Sequence, residues 1–369
     1  MIPSLAARLP APTSWVLDLA RRHTSAVMFT GGFLFDLATI RRIDAWTDLS
    51  LQLLYLVGVT TLLLYQHRAS LGRWAPPVIL ERVWAYNVEV LHFFYGALLS
   101  AYVVLYLRSS TRARPLVFLI LLVALMFVNE MPRVRRAGYR LRLGLYAFCV
   151  ISFLNYFVPI VLGRMGDWVF ALTLAVAAGV TWLVADRLAT REVDRRATRA
   201  RLYSPALAVA VALAVLYALR LIPPVPLSVQ SQGIYHDVRR EAASYVLTYE
   251  KPPLYLFWRR DSRPFRKQPG DRLHYFLEVF APARFRQQVY ARWEHRDAAG
   301  DWRPRDRIRL SIVGGRAEGF RSYAVKSNFE PGQWRVITET ADGRAMASLA
   351  FTVEEIAGET EREWRRVGG

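Results

Sequence analysis

The stretch Pro205-Ala206-Leu207-Ala208-Val209-Ala210-Val211-Ala212-Leu213-Ala214-Val215-Leu216-Tyr217-Ala218-Leu219-Arg220-Leu221-Ile222, followed at once by Pro223-Pro224-Val225-Pro226-Leu227, decides the fold class. Arg220 is its one charge. An apolar helix needs roughly 20 residues to cross about 30 Å of hydrocarbon, so residues 205–222 read as a membrane span. Prolines at 223, 224 and 226 remove backbone donors and fix φ, so the chain leaves the span as a stiff spacer over residues 223–229. Toward the N-terminus, charges mark off six more apolar stretches: Ser25 to Ile40, Leu49 to Tyr65, Val88 to Leu107, Leu116 to Asn129, Leu143 to Gly163 and Trp168 to Ala185. The expected fold is a polytopic membrane bundle of about seven spans over residues 25–222, with the first, second and fourth spans short. A mean hydropathy of +0.16 with 53% apolar residues agrees, and argues against a soluble enzyme or a low-complexity disordered chain.

Basic charge follows the spans. Residues 1–227 hold 24 arginines and 11 acidic residues, whereas residues 228–369 hold 25 basic and 19 acidic. With residues 1–24 as a cytoplasmic N-terminal segment, 17 arginines fall on the inside and seven on the outside. The positive-inside rule then places the C-terminal region outside the cytoplasm. This topology accounts for the net charge of +19 without nucleic acid as a partner. Residues 1–24 contain Pro3, Pro10, Pro12 and Asp18, which argues for an uncleaved first span rather than a signal peptide. Cys149 is the sole cysteine, so an intramolecular disulfide is excluded, and no Cys/His spacing resembles a zinc site. We expect no metal and no cofactor. Ala206, Ala210, Ala214 and Ala218, then Ala171, Ala175 and Gly179, and then Gly96 and Ser100 form small-residue faces suited to helix packing or oligomerisation.

Beyond the spacer the pattern changes to short runs of strand formers. These are Ser244 to Tyr249, Tyr255 to Trp258, Leu273 to Phe280, Gln287 to His295, Arg307 to Val313, Phe320 to Lys326, Gln333 to Thr340 and Ala345 to Val353. Alternation is clearest in Trp334, Val336 and Thr338 and in Leu349, Phe351 and Val353, with Asp342-Gly343 as the hairpin signal between them. Residues 230–355 thus read as an all-β immunoglobulin-like sandwich, and residues 356–369 as a charged tail or short helix.

A set of short motifs spreads across both regions. It comprises Gly31-Gly32-Phe33 with Asp36, Arg42-Ile43-Asp44, Arg108-Ser109-Ser110, Asn129-Glu130, Phe157-Val158-Pro159, Pro223-Pro224-Val225-Pro226, Gly233-Ile234-Tyr235-His236, Phe280-Ala281-Pro282, Gly314-Gly315-Arg316 and Gly332-Gln333-Trp334-Arg335-Val336. In order and spread, from about residue 25 to 354, it resembles the bacterial family carrying the domain of unknown function 2914. One departure is Tyr290-Ala291-Arg292, where the resemblance implies a histidine shortly before Trp293. The resemblance implies membrane helices followed by a β-rich domain; it implies no reaction, substrate or cofactor.

Ionisable groups inside spans are the first functional suspects, because burying them in hydrocarbon is costly. Asp36 lies toward the outer leaflet, where Asn155, Arg108 or Arg164 can meet it, either to bind a lipid headgroup or relay protons or simply to staple helices. Toward the inner leaflet, Glu89 and His92 share a helix face, and Asn129 and Glu130 close the fourth span at the same depth. That group can handle protons or a metal, or simply cap helix ends. In the β region, Gly314-Gly315-Arg316 with Arg321 forms either an anion-holding loop or an ordinary turn. Trp302, beside Gly300-Asp301, is the candidate exposed ring for stacking on a glycan. His236, His274 and His295 sit on three segments whose spacing says nothing about convergence.

No Walker A, G-x-G-x-x-G, H-E-x-x-H or G-x-S-x-G pattern occurs. The expected function is a non-catalytic membrane anchor presenting a β domain to an envelope glycan, lipid headgroup or protein, with membrane lipids as neighbours. The alternative is a transporter or intramembrane enzyme that handles a small molecule or lipid with the buried polar residues. In a third reading, the bundle assembles with partner membrane subunits.

Overall fold

The computed structural model describes residues 46–108, 113–131, 138–189, 194–241, 244–281, 286–313, 320–356 and 361–368. Seven helices occur among them: α1 (Trp46–Ser70), α2 (Val78–Trp84), α3 (Asn87–Arg108), α4 (Ala113–Glu130), α5 (Tyr139–Leu162), α6 (Asp167–Leu188) and α7 (Arg195–Ala218). Of these, α1, α3, α5, α6 and α7 are long and apolar enough to cross a membrane, while the apolar part of α4, Phe118–Asn129, is shorter. The stretch Ser25 to Ile40, with Asp36, lies outside the described residues. Helix α2 has no counterpart in the sequence reading. Pro77 caps it, and it is too brief to show as a hydropathy peak. Val78 and Ile79 on it are 86% and 90% exposed.

Tyrosines tie α3 to α5. The Tyr95 hydroxyl donates to the Arg142 carbonyl at 2.8 Å and the Tyr102 hydroxyl to the Cys149 carbonyl at 2.9 Å. Both donors and both acceptors are seven residues apart, so α3 and α5 run parallel, as α4 crossing back between them requires. Helices α5 and α7 meet where a Cβ on Gly144 would lie 3.2 Å from Cβ of Pro205. Pro205 cannot donate to the Arg201 carbonyl, and the Ser204 hydroxyl fills that role at 3.0 Å. Of the small-residue faces, Gly96, Ser100 and Ala206 are buried, whereas Ala171, Ala175 and Gly179 point away from the bundle.

Eleven strands follow among the described residues: β1 (Ser228–Tyr235), β2 (Asp237–Glu241), β3 (Ser244–Glu250), β4 (Phe265–Lys267), β5 (Leu273–Phe280), β6 (Arg286–Arg296), β7 (Trp302–Val313), β8 (Phe320–Lys326), β9 (Gly332–Thr340), β10 (Ala345–Glu355) and β11 (Trp364–Gly368). They form sheets of order β1-β5-β8, β4-β10-β9-β6-β7 and β11-β3-β2. The first two enclose a sandwich-like core with Tyr275 and Leu277 on one side and Trp293, Val336 and Phe351 on the other. The third covers the opposite face of the first, packing Val238, Leu247 and Tyr249 around Tyr235 and Phe276. A strand covered on both faces must be apolar on both, which accounts for the nearly continuous burial of β5.

The hairpin read at Asp342-Gly343 joins β9 to β10, with Trp334 opposite Phe351, Val336 opposite Leu349, and Gly343 at φ 78°. Three sequence assignments need correction. Tyr255 to Trp258 is not a strand: Leu254–Leu256 is a single 3-10 turn after Pro252-Pro253. Residues 364–368, assigned to a charged tail, form β11 and pair with β3. The strand region opens at Ser228, inside the span assigned to the linker.

The helices and the β region meet at a built junction. Ile222, Val225 and Phe280 join the core of the helical part. Arg344, on the β9–β10 hairpin, lies 3.4 Å over the Tyr217 ring, donates to the Tyr217 carbonyl at 3.0 Å and pairs with Asp342 at 2.6 Å. Tyr217 stacks on Phe170 at 3.7 Å and donates to Asp167 at 3.0 Å. Ser228 and Phe280 are opposite each other beside this junction, and the other ends of β1 and β5 lie about 23 Å along the strands from that pair, at ~3.3 Å per residue.

Candidate functional site in the β region

That far end carries a cleft of about 500 Å³, lined by the polar face of the β11-β3-β2 sheet and by the entry to β5. Strand periodicity builds it. Asp237 pairs with Thr248, and Thr248 with Arg366, in one row across the three strands, and Arg239 opposite Val246 continues the same face. The residues between them, Val238 and Leu247, point into the core. Gly270, Asp271, Arg272 and His274 close the other wall.

His236 follows β1, and its backbone N–H donates to the Thr248 carbonyl at 3.0 Å. Its side chain is 6% exposed. The imidazole stacks on Phe265 with centroids 4.1 Å apart and meets Trp364 edge-on at 4.9 Å. Arg362 Nη1 lies 3.4 Å from His236 Nδ1, and Arg362 Nη2 donates to Asp271 Oδ2 at 2.9 Å. An Nδ1 that accepts from a guanidinium places the ring proton of neutral His236 on Nε2. That Nε2 is buried and has no hydrogen-bond partner among the described residues. Burial lowers the His236 pKa to about 4, with Asp271 opposing and Arg362 reinforcing the shift. His274 is lowered in the same direction, again chiefly by burial. Both imidazoles are therefore neutral at pH 7, and the charge of the cleft belongs to its arginines and carboxylates.

The sequence candidates are placed as follows. His92 and Asn129 come together inside the bundle: Nδ1 of His92 is 2.8 Å from Oδ1 of Asn129, whose Nδ2 donates to the His92 carbonyl at 3.1 Å. Glu89 is exposed on α3 and takes no part in that pair. Asn155 Nδ2 donates to the Tyr106 hydroxyl at 2.9 Å, and Arg164 is exposed between α5 and α6. The side chains of Arg108 and Glu130 lie outside the described set, as do Asp36, Gly314, Gly315 and Arg316 altogether. Arg321 sits opposite Glu278 and pairs with it at 3.2 Å, so the β5–β8 ladder engages it. Trp302 lies under the Arg335 guanidinium at 4.4 Å and is not a free platform. His236 and His274 share the cleft, whereas His295 packs against Trp334 at 4.7 Å.

Sequence reasoning missed two groupings. One is Gln66, which donates to the Asn87 side chain at 2.7 Å and accepts from Arg142 at 2.8 Å, linking α1, α3 and α5. Polar residues at span ends raise no hydropathy signal. The other is the cleft, whose strand β11 lies in a segment too charged to read as a strand.

Among solved structures, the chain is similar to the alkylpurine DNA glycosylase AlkC of Pseudomonas fluorescens bound to DNA containing an abasic site analog, at 11% identity. That alignment covers 85% of this chain and 99% of the glycosylase, with a TM-score of 0.19, and so carries no argument about fold or activity. No curated protein matches the chain. Residues 286–353 match the family described as protein of unknown function (DUF2914). They span β6 to most of β10, so the cleft residues at 236–274 and 362–366 lie outside the match. Residues 286–353 thus carry the domain of unknown function 2914, and of the motifs behind the resemblance Gly314-Gly315-Arg316 and Gly332-Gln333-Trp334-Arg335-Val336 lie inside the match.

Proposed function

We propose that this chain is a multi-pass protein of the bacterial inner membrane whose helices anchor an immunoglobulin-like sandwich outside the cytoplasm. The sandwich binds another envelope component and catalyses no reaction. One observation carries this reading: a cleft of about 500 Å³ at the far end of the β region, containing a buried His236 whose Nε2 lacks a partner among the described residues. An unsatisfied buried donor costs roughly 1–3 kcal/mol, and a ligand oxygen that reaches it removes the penalty. The size falls within the range of small-molecule sites. The junction through Arg344 and Tyr217 supports presentation, because it ties the β region to the helices through residues other than those that line the cleft.

The test is photo-crosslinking in intact cells from a light-activated residue at Val246 or Thr248, with Arg305 on β7 as the control position. A discrete adduct from the cleft positions and none from Arg305 is expected. Equal labelling from all three, or none, would falsify the reading.

A further inference from the structure

We infer that the cleft takes an anionic sugar, with the ring resting on Trp364 and its carboxylate or phosphate held by Arg272 and Arg366. This rests on the binding reading above and adds the chemistry of the ligand.

Charge selects the sign. Two guanidinium groups at the cleft are already occupied: Arg239 pairs with Asp237 at 2.6 Å, and Arg362 with Asp271 at 2.9 Å. Arg272 and Arg366 have no carboxylate within ion-pair distance among the described residues, and both are exposed. The one lining carboxylate outside those pairs is Glu241, at the tip of the β2–β3 hairpin. Two free guanidinium groups against one carboxylate leave the cleft attractive to an anion.

Hydrogen-bond polarity points the same way. Arg272 and Arg366 present only donors to the cleft, so it calls for acceptor oxygens. A sugar acid or sugar phosphate is rich in these. Thr248, between Asp237 and Arg366 in the sheet, adds a hydroxyl for the neutral part of the ring.

Trp364 supplies the stacking surface. It is 45% exposed, yet His236 lies against it at 4.9 Å and Arg362 at 5.4 Å, which leaves the ring ordered and partly uncovered. Such a ring suits the apolar face of a pyranose. A metal ion is a poor competitor, since no group of three His, Cys, Asp or Glu able to hold one occurs among the described residues.

The experiment is calorimetric titration of the full chain in nanodiscs with glucuronate, glucose 6-phosphate, glucose, acetate and inorganic phosphate. One of the two charged sugars should bind about tenfold or more tightly than glucose and than its free anion, and the arm that does so identifies carboxylate or phosphate. Arg272→Gln with Arg366→Gln should weaken that binding about tenfold or more. Trp364→Leu should reduce the charged sugar to the affinity of the free anion. Removing two exposed guanidinium groups does not threaten folding. Glucose binding as tightly as the charged sugars would overturn the inference, as would binding indifferent to the two arginines or no binding at all. If the crosslinking experiment still yields an adduct from the cleft, the binding reading stands and only the sugar chemistry falls.

Discussion

His236 is held in its neutral form by its surroundings: Phe265 covers one face, Trp364 closes an edge, and Arg362 places positive charge at Nδ1. Its folded pKa of about 4 lies below the unfolded value of 6.5, so the unfolded chain binds the extra proton between those values. The stability contributed by neutral burial is complete above pH 6.5, declines as the pH falls from 6.5 toward 4, and changes no further below that. The full effect is roughly 3 kcal/mol at most. We predict that thermal unfolding of the β region, followed on the full chain in detergent, shifts to lower temperature across this window. His236→Phe, which keeps an aromatic ring on Phe265 and does not titrate, should flatten this part of the profile. A variant whose midpoint falls as steeply as that of the parent would show that other groups set the acid limb.

Elements pack here by contacts that residue type alone does not reveal. Gly144 on α5 faces the rigid ring of Pro205 on α7, whereas a Cβ on Gly179 of α6 would have nothing within 4 Å. A proline ring cannot swing aside, so Gly144→Ala forces the two helices apart. We expect it to cost about 1–2 kcal/mol, while Gly179→Ala is neutral or slightly stabilising through helix propensity. Thermal midpoints of the two purified variants check this; equal midpoints would mean that the α5–α7 contact yields without cost. The same comparison separates the small-residue faces. That of α7 opens on buried Ala206, while that of α6 turns outward and remains available to lipid or to another subunit. Among the strands, β11 owes its pairing to β3: Trp364 lies opposite Glu250 and Val367 opposite Leu247, so one face reaches the core while the other carries Arg366 into the cleft.

At the scale of the molecule, two regions with opposite demands on solvent are joined at Ile222–Leu227. Five helices are long and apolar enough to cross a membrane, whereas the sandwich-like region carries salt-bridged edges suited to water. The junction reconciles them with a cation over an aromatic ring. Arg344 reaches Tyr217 and also lies 3.6 Å from Asp167, so α6, α7 and the β9–β10 hairpin converge on one guanidinium. The arginine distribution predicts which side of the membrane receives the β region. A reporter active only in the cytoplasm should be active when fused after Arg201, and one active only outside should be active after Gly369. Cytoplasmic activity at Gly369 would reverse the orientation.

Length and hydropathy were enough to read the five long helices, though not α2, because a helix able to cross a membrane is a local property: about 20 apolar residues between charges suffice whatever surrounds them. Strands β9 and β10, with clear alternation and a turn signal, were legible for the same reason; β5, apolar on both faces, was legible from its run of strand formers, and the DUF2914 match at residues 286–353 from short motifs such as Gly332–Val336. The pairing of His92 with Asn129 followed from their shared depth, though Glu89 on the same face of the helix turned away. Tertiary structure decided the rest. The Tyr255–Trp258 run has the composition of a strand but pairs with no strand among the described residues and forms a turn after Pro252-Pro253, whereas the charged Trp364–Gly368 is a strand because it pairs along the edge of β3. The cleft brings together His236, His274 and Trp364 from segments up to 128 residues apart. Pairing across a sheet and convergence at its edge depend on which chains meet, and only the folded packing settles that.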